Sequence, residues 1–400
     1  MTASSHYDVI IAGGGPAGSS AAINLALRGA RVLLVEQKKF PRAKLCGEFI
    51  SPECADLFAR LGVADQMFAA RPATLSETVF YSRAGKSASV PSSWFGSANG
   101  ALGLSRAEMD ERLLRRASDA GVEVIENAHA TNVLFENGNV CGITLKHDGS
   151  EEGFHSTITI DATGRTRALA RHINSKPNTK RDRRPPMIAF KAHLENTRVA
   201  AGACEIYFYR GGYGGLSSIE GGLSNLCFIA SARDVRASDA DADRVVREIV
   251  RQNARANETL ATARVASPWL AVALEGFGRH EVAPVKGLLA IGDAASFIDP
   301  FTGSGMLMAL QSGELAATAT ANYLNAHPES QTLADLSANY RAAYQRTFDS
   351  RLRICSLLRR AAFVPRLAEL AITLFAASDS LRRRLARATR GTTRETYYSS

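Results

Sequence analysis

Apolar and polar positions change period several times along this chain, and glycines stand at most of the changes. Residues 7–12 form a near-continuous apolar run, the pattern of a parallel strand buried on both faces. An alanine-rich stretch over 16–28 has helical spacing and stops at Gly29. Residues 31–35 read as a second buried strand, with Glu36 at its carboxyl end. Ser105 followed by Glu108 is a capping box and predicts a helix through Leu113 and Leu114 to Gly121. The pairs Asn137-Gly138 and Asp148-Gly149 predict hairpin turns between strand-like runs. Residues 189–194, 204–209 and 225–230 are strand-like, with the glycine-rich stretch 211–222 expected as a loop joining two of them. A helix over 242–254 follows an acidic start. Residues 288–291 make a further buried strand, and a last pattern leads from Gly303 and Gly305 into a helix through Met308 and Leu315 toward Leu324.

The first strand runs directly into Gly13-Gly14-Gly15-Pro16-Ala17-Gly18, which matches G-x-G-x-x-G. Each glycine has a mechanical use: Gly13 for the tight turn, Gly15 for close approach of backbone to a pyrophosphate, Gly18 for helix–strand packing. The helix start at Pro16 and Ala17 offers unpaired N–H groups and positive dipole to phosphate. Glu36, with Gln37 beside it, stands about 20 residues on, where a carboxylate accepts hydrogen bonds from ribose hydroxyls. Strand, turn, helix, strand and acid in register point to dinucleotide binding. The motif by itself does not separate FAD from NAD.

Residues 287–306 supply the distinction. Strand, Gly292-Asp293, and a loop ending at Gly303, Ser304 and Gly305 together resemble the Gly-Asp motif of FAD-containing hydroxylases (group A flavin monooxygenases) and geranylgeranyl reductases. The resemblance implies that Asp293 bonds the flavin ribityl chain. It also implies that Pro300, Gly303, Ser304 and Gly305 shape the loop beside the flavin ring. A helix start there stabilises negative charge on reduced flavin. Arg106 matches an arginine those hydroxylases place near the FAD phosphates or ribityl chain, and Asp161 and Gly164 match a segment near the pyrophosphate. Residues 40–53 look like the Lys-x-Cys-Gly segment that lies beside the flavin in geranylgeranyl reductases. Arg42 and Lys44 add positive charge there beside Cys46, a setting in which cysteines become reactive. Cys46 and Glu48 are therefore the candidate catalytic residues, and Tyr213 and Glu220 the candidates for lining a substrate pocket.

The implied fold class is α/β: a glutathione-reductase-type FAD-binding Rossmann domain with an interleaved α+β substrate domain and a C-terminal helical segment. Residues 1–75, 100–175 and 280–330 are expected to build the FAD-binding domain, and 76–99 with 176–279 the substrate domain. A helical region over 331–390 and a disordered tail over 391–400 complete the expectation. With 400 residues, two domains of ordinary size are affordable.

Composition narrows the class a little. Hydrophobic residues at 46% and charged at 22% are those of a globular protein. No apolar stretch reaches the roughly 20 residues of a membrane span, and the start lacks the basic-then-apolar pattern of a secretory signal, so a cytoplasmic location is expected. The six cysteines are scattered without C-x-x-C pairs, and no metal site is expected. The formal charge of +9 is concentrated near the C-terminus, in Arg351, Arg353, Arg359, Arg360, Arg366, Arg382, Arg383, Arg384, Arg387 and Arg390. No nucleic-acid motif accompanies them. A solvated face, or a peripheral membrane contact flanking the apolar run 367–377, accounts for the cluster.

No second G-x-G-x-x-G follows a strand, so NAD(P)H is expected to meet the flavin without a domain of its own. The leading expectation is an FAD-dependent monooxygenase using NAD(P)H to hydroxylate a hydrophobic aromatic or polyketide-like molecule. The alternative is a geranylgeranyl-reductase-like reduction of carbon–carbon double bonds in isoprenoids, favoured by the Lys-x-Cys-Gly segment. In related reductases and halogenases the loop equivalent to 211–222 carries tryptophans and a proline, and neither occurs here. That argues against a halogenase and weakens polyprenyl reduction. A non-catalytic prenyl- or lipid-binding protein is the third reading, opposed by Glu36 and Asp293.

Overall fold

The computed structural model describes residues 6–95, 100–173, 186–274, 277–298, 303–327, 330–362, 372–373 and 378–388. Pro300, most of the run 367–377 and the tail 391–400 lie outside the described residues.

Five parallel strands stand in the spatial order Glu123–Ile125, Val32–Val35, Tyr7–Ala12, Ser150–Asp161, Leu288–Ala290. Their apolar runs are buried because helices cover the sheet: Pro16–Ala26 packs on Gly305–Asn325 and on Arg106–Asp119. The strand Ser150–Asp161 serves two sheets. Its second half pairs in parallel with Tyr7–Ala12, while its first half runs antiparallel to Asn139–His147, which in turn pairs with His129–Glu136. Both hairpin turns form as the sequence predicts, with positive φ at Asn137, Gly138, Asp148 and Gly149.

The second large sheet has the order Arg264–Val265, Met187–Glu195, Ser224–Ser231, Gly212–Ser218, Ala203–Tyr209, Glu77–Tyr81, Ser87–Pro91. Two expectations fail here. The stretch expected as a glycine loop is mostly a central strand, Gly212–Ser218, paired on both sides. Its glycines are needed for proximity: a Cβ at Gly212 would lie 1.9 Å from the Ile229 carbonyl oxygen. The helix expected over 242–254 is interrupted. Ala242–Glu248 ends, and Asn253 restarts a helix at Ala254–Thr259 by accepting from the Ala256 N–H. The Asn253 amide also donates to the carbonyls of Tyr81, Ser82 and Phe208, so tertiary hydrogen bonding overrides helical continuity.

Behind the parallel sheet a long helix, Leu333–Ala362, buries Tyr340, Tyr344 and Phe348 at four-residue spacing. Tyr340 Oη donates to the Ala290 carbonyl at 2.8 Å, tying this helix to the strand that leads into Asp293. Among the described residues no helix is long and apolar enough to cross a membrane.

Candidate active site

The glycine turn is built as its spacing requires. Gly13 has φ +110°, and a Cβ there would stand 2.4 Å from the Ala162 carbonyl oxygen. A Cβ on Gly18 would come within 1.9 Å of the Gly13 carbonyl oxygen. Gly15 is different: what faces its α-carbon is space, bounded by the guanidinium groups of Arg42 and Arg106, each 3.9 Å from a Cβ built on it. A bare backbone at a helix start, facing two guanidinium groups, fits a pyrophosphate. Glu36 accepts the Gly14 N–H at 2.8 Å and the Lys38 N–H at 3.0 Å, which fixes its carboxylate at the end of the second strand. Gln37 is exposed beside it.

Arg106 opens the helix Arg106–Asp119 and is buried in a two-pronged pair with Asp110, at 2.8 and 2.7 Å. Burial opposes its charge, but Asp110 and a contact with Cys46 raise its pKa above the ordinary arginine value. Arg42 lies 3.2 Å from the same Asp110 and stacks on Phe40. Lys44 stands between Arg42, Arg106 and Asp293. Desolvation and the two arginines lower its pKa, with Asp293 and Asp110 partly offsetting them. The capping box is only half closed as the sequence suggests. Ser105 Oγ accepts the Glu108 N–H, but the Ser105 N–H donates to Glu220 at 2.9 Å, while Glu108 pairs with Arg112.

Around these groups lies a cavity of about 460 Å³. At one end it is lined by Gly15, Pro16 and Ala17, by Lys44 and Arg106, and by Gly164, Gly292 and Asp293. Gly303 and Gly305 also line it, and Ser304 is the buried cap of the helix Gly305–Asn325. The other end opens onto the second sheet, where Phe80, Ile206, Phe208, Tyr213, Ile229 and Leu274 face it. Cys46 lies between the two ends. The segments singled out in the sequence thus meet in one space, including Tyr213.

Three expected roles need correction. Asp161 is fully buried and spends its carboxylate on its own loop, accepting from Thr163 N–H and Oγ1 and from the N–H groups of Leu169 and Ala170. It positions the turn at Gly164 rather than facing a phosphate. Glu220 does not line the cavity; it caps Ser105. Glu48 is no poised proton donor. It is completely buried at φ +52°, with Oε1 2.9 Å from Lys191 Nζ and from the Arg106 N–H, and Oε2 2.7 Å from His193 Nε2. Burial raises its pKa, yet the His193 hydrogen bond and the Lys191 charge outweigh that and hold it below the usual glutamate range. The carboxylate therefore stays ionised and clamps the Cys46 loop to the second sheet. Asn225 completes the clamp by donating to the Cys46 carbonyl at 3.0 Å.

Lys191, His193 and Asn225 were not singled out in the sequence. A signal existed: Lys191 and His193 are polar residues two apart in an otherwise apolar strand, hence on one face. Arg165 was also missed. It lines the cavity, sits over the Phe297 ring and has its pKa lowered by burial despite the nearby Asp293 charge.

Comparisons with known proteins agree with this geometry. The chain is 26% identical over 360 residues to a digeranylgeranylglycerophospholipid reductase of Methanocella arvoryzae, covering 88% of this chain and 86% of that one. A geranylgeranyl bacteriochlorophyll reductase-like protein of Thermoplasma acidophilum superposes with a TM-score of 0.78 at 20% identity, covering 95% of both chains. A flavin-dependent brominase superposes with a TM-score of 0.77 at 22% identity, over 97% of this chain and 94% of that one. These likenesses to solved structures speak for the fold. A family profile described as "FAD binding domain" matches residues 6–350, and with the glycine turn, the Gly-Asp loop and the cavity between them the chain belongs to that family as an FAD-dependent oxidoreductase.

Proposed function

We propose that the protein reduces carbon–carbon double bonds in an isoprenoid chain. The observation that carries this reading is the shape of the cavity: it leaves the glycine turns, passes Cys46 and continues along an apolar sheet face. The digeranylgeranylglycerophospholipid reductase that matches most of the chain's length supports it. The likeness to the solved brominase concerns fold alone and does not favour the hydroxylase alternative.

In this reading the backbone of the 13–18 turn holds the FAD pyrophosphate, with Arg42, Lys44 and Arg106 supplying countercharge. Glu36 takes the ribose and Asp293 the ribityl chain. The start of the helix Gly305–Asn325, which lines the cavity, would favour added negative charge on a flavin held there. FAD held there, once reduced by NAD(P)H or another two-electron donor, would supply hydride to one alkene carbon. The chain must bring a proton to the other, and Cys46 Sγ is the group between flavin end and apolar end that can hold one. Arg106, in contact with that sulfur, then stabilises the charge left behind. The sheet face excludes water from the reacting carbons. Exposed Arg383 and Arg384, on the helix Asp379–Ala388 beside the cavity, are proposed to rest on an anionic lipid surface.

The test is anaerobic incubation of dithionite-reduced holoprotein with a geranylgeranyl lipid, followed by mass spectrometry. A gain of two hydrogens per turnover is expected. Oxygen-dependent gain of one oxygen atom from an aromatic substrate panel, with no alkene reduction, would refute the proposal in favour of the hydroxylase.

A further inference from the structure

The register of the second sheet turns the apolar end of the cavity into a track. Residues directly opposite one another form a row across the strands: Lys191, Cys227, Gly215, Ile206, Phe80, Ala88. A parallel row one pleat away runs His193, Asn225, Ser217, Cys204, Thr78, Val90. In both rows every member but the first two of the second row and Lys191 itself lines the cavity. At their near end the rows stop against the Glu48 clamp, which uses Lys191 and His193 and carries Cys46 above Asn225. At the far end they reach the edge strand Ser87–Pro91. There the helix Asp379–Ala388 packs on the strand and on the following turn, and Arg382 and Ala386 line the cavity. The guanidinium groups of Arg382 and Arg383 lie over the Trp94 ring, at 5.9 and 5.3 Å.

Resting on the reductase reading, we infer that the isoprenoid chain lies across the strands in this track. It enters tail first between the edge strand and the C-terminal helix and leaves its head group beside Arg382 and Arg383. Four strand-to-strand steps separate Cys227 from Ala88. At roughly 4.8 Å each they span about 19 Å. An extended covalent chain advances about 1.2 Å per bond, so one isoprene repeat of four backbone bonds covers about 5 Å. Each strand-to-strand step therefore matches about one isoprene unit, and the track takes about four. The small side of the track (Cys227, Gly215, Ala88) leaves room for the chain, and Ile206 and Phe80 give it contact. The depth of insertion then fixes which double bond stands beneath Cys46: for a four-unit chain, the one farthest from the head.

The experiment uses reduced holoprotein with geranyl, farnesyl and geranylgeranyl phosphate, scored by mass spectrometry for rate and position of reduction. Perturbation of the oxidised flavin spectrum by the saturated phytanyl phosphate reports occupancy separately. The four-unit chain should be reduced at least tenfold more efficiently than the two-unit chain, first at its terminal double bond. Gly215→Val within the track and Ala88→Trp at its mouth should each weaken phytanyl phosphate at least tenfold while FAD stays bound. Equal rates for two and four units, first reduction next to the phosphate, or wild-type phytanyl affinity in both variants would overturn the track. If the variants weaken phytanyl binding but no chain is reduced, the reductase reading fails and the track stands. If chains are reduced without regard to length, the reductase reading stands and the track fails.

Discussion

Replacing Lys191 by Met tests the clamp that joins the Cys46 loop to the second sheet. Lys191 is 2% exposed and Glu48 not at all, so the substitution leaves a buried carboxylate without its ammonium partner. Removing one member of a buried ion pair costs about 3–5 kcal/mol. Here His193 and the Arg106 N–H still hold Glu48, which places the expectation at the lower end, about 3 kcal/mol. With a slope of about 3 kcal/mol per molar urea, the unfolding midpoint of FAD-saturated protein should fall by about 1 M. Adding Glu48→Gln to Lys191→Met should restore part of the loss, giving a coupling well above the value of an exposed pair. The pH dependence has a fixed sign. Because the folded pKa of Glu48 lies below its unfolded one, its contribution is complete above the ordinary glutamate value, about 4.3, and is lost as pH falls through the folded value. Glu48→Gln should accordingly lower stability by a constant amount above that pH, leave it unchanged below the folded value, and so remove this part of the acid-side slope. A loss under about 1 kcal/mol for Lys191→Met, the range of surface pairs, or a coupling of zero would refute the clamp.

Gly18→Ala should yield protein without visible flavin absorbance, since its methyl would overlap a backbone oxygen that cannot move without opening the turn. Asn253→Ala removes a helix cap and the donor shared by three carbonyls, and should cost about 3 kcal/mol in urea unfolding. Glu220→Ala should lower stability by about 1 kcal/mol through the Ser105 N–H while leaving KM for an isoprenoid substrate unchanged, and a raised KM would return Glu220 to the pocket. Cys46→Ala should keep FAD bound and reduce kcat at least tenfold. An unchanged kcat would move the proton source elsewhere.

The dinucleotide half of the site was legible because its chemistry is local. Gly13, Gly15, Gly18 and Glu36 sit within one strand–turn–helix–strand unit, and their spacing in it is what the turn requires, although Gly13 also meets Ala162 and Gly15 faces Arg106 from elsewhere in the chain. The Gly-Asp loop was legible for the same reason, with a short strand before it and a long helix after it. Apart from Asp161, what failed were roles that depend on partners far along the chain. The 211–222 stretch looked like a loop because glycine has little strand preference, yet it is held as a central strand by neighbours on both sides. Glu220 looked available and is taken up by the Ser105 N–H, 115 residues away, whereas Asp161 is taken up inside its own loop by Thr163, Leu169 and Ala170. Glu48 looked like an acid and is a clamp, because Lys191 and His193, more than 140 residues away, meet its two oxygens.

The sequence by itself determined the cofactor-binding turns and therefore the class of chemistry, since backbone geometry over a few residues decides whether a phosphate can be cradled. Tertiary structure decided where Cys46 stands, what faces it and how far the apolar track extends. Those depend on strand register and on buried charges pairing across the sheet, and neither is written in any one segment of the chain.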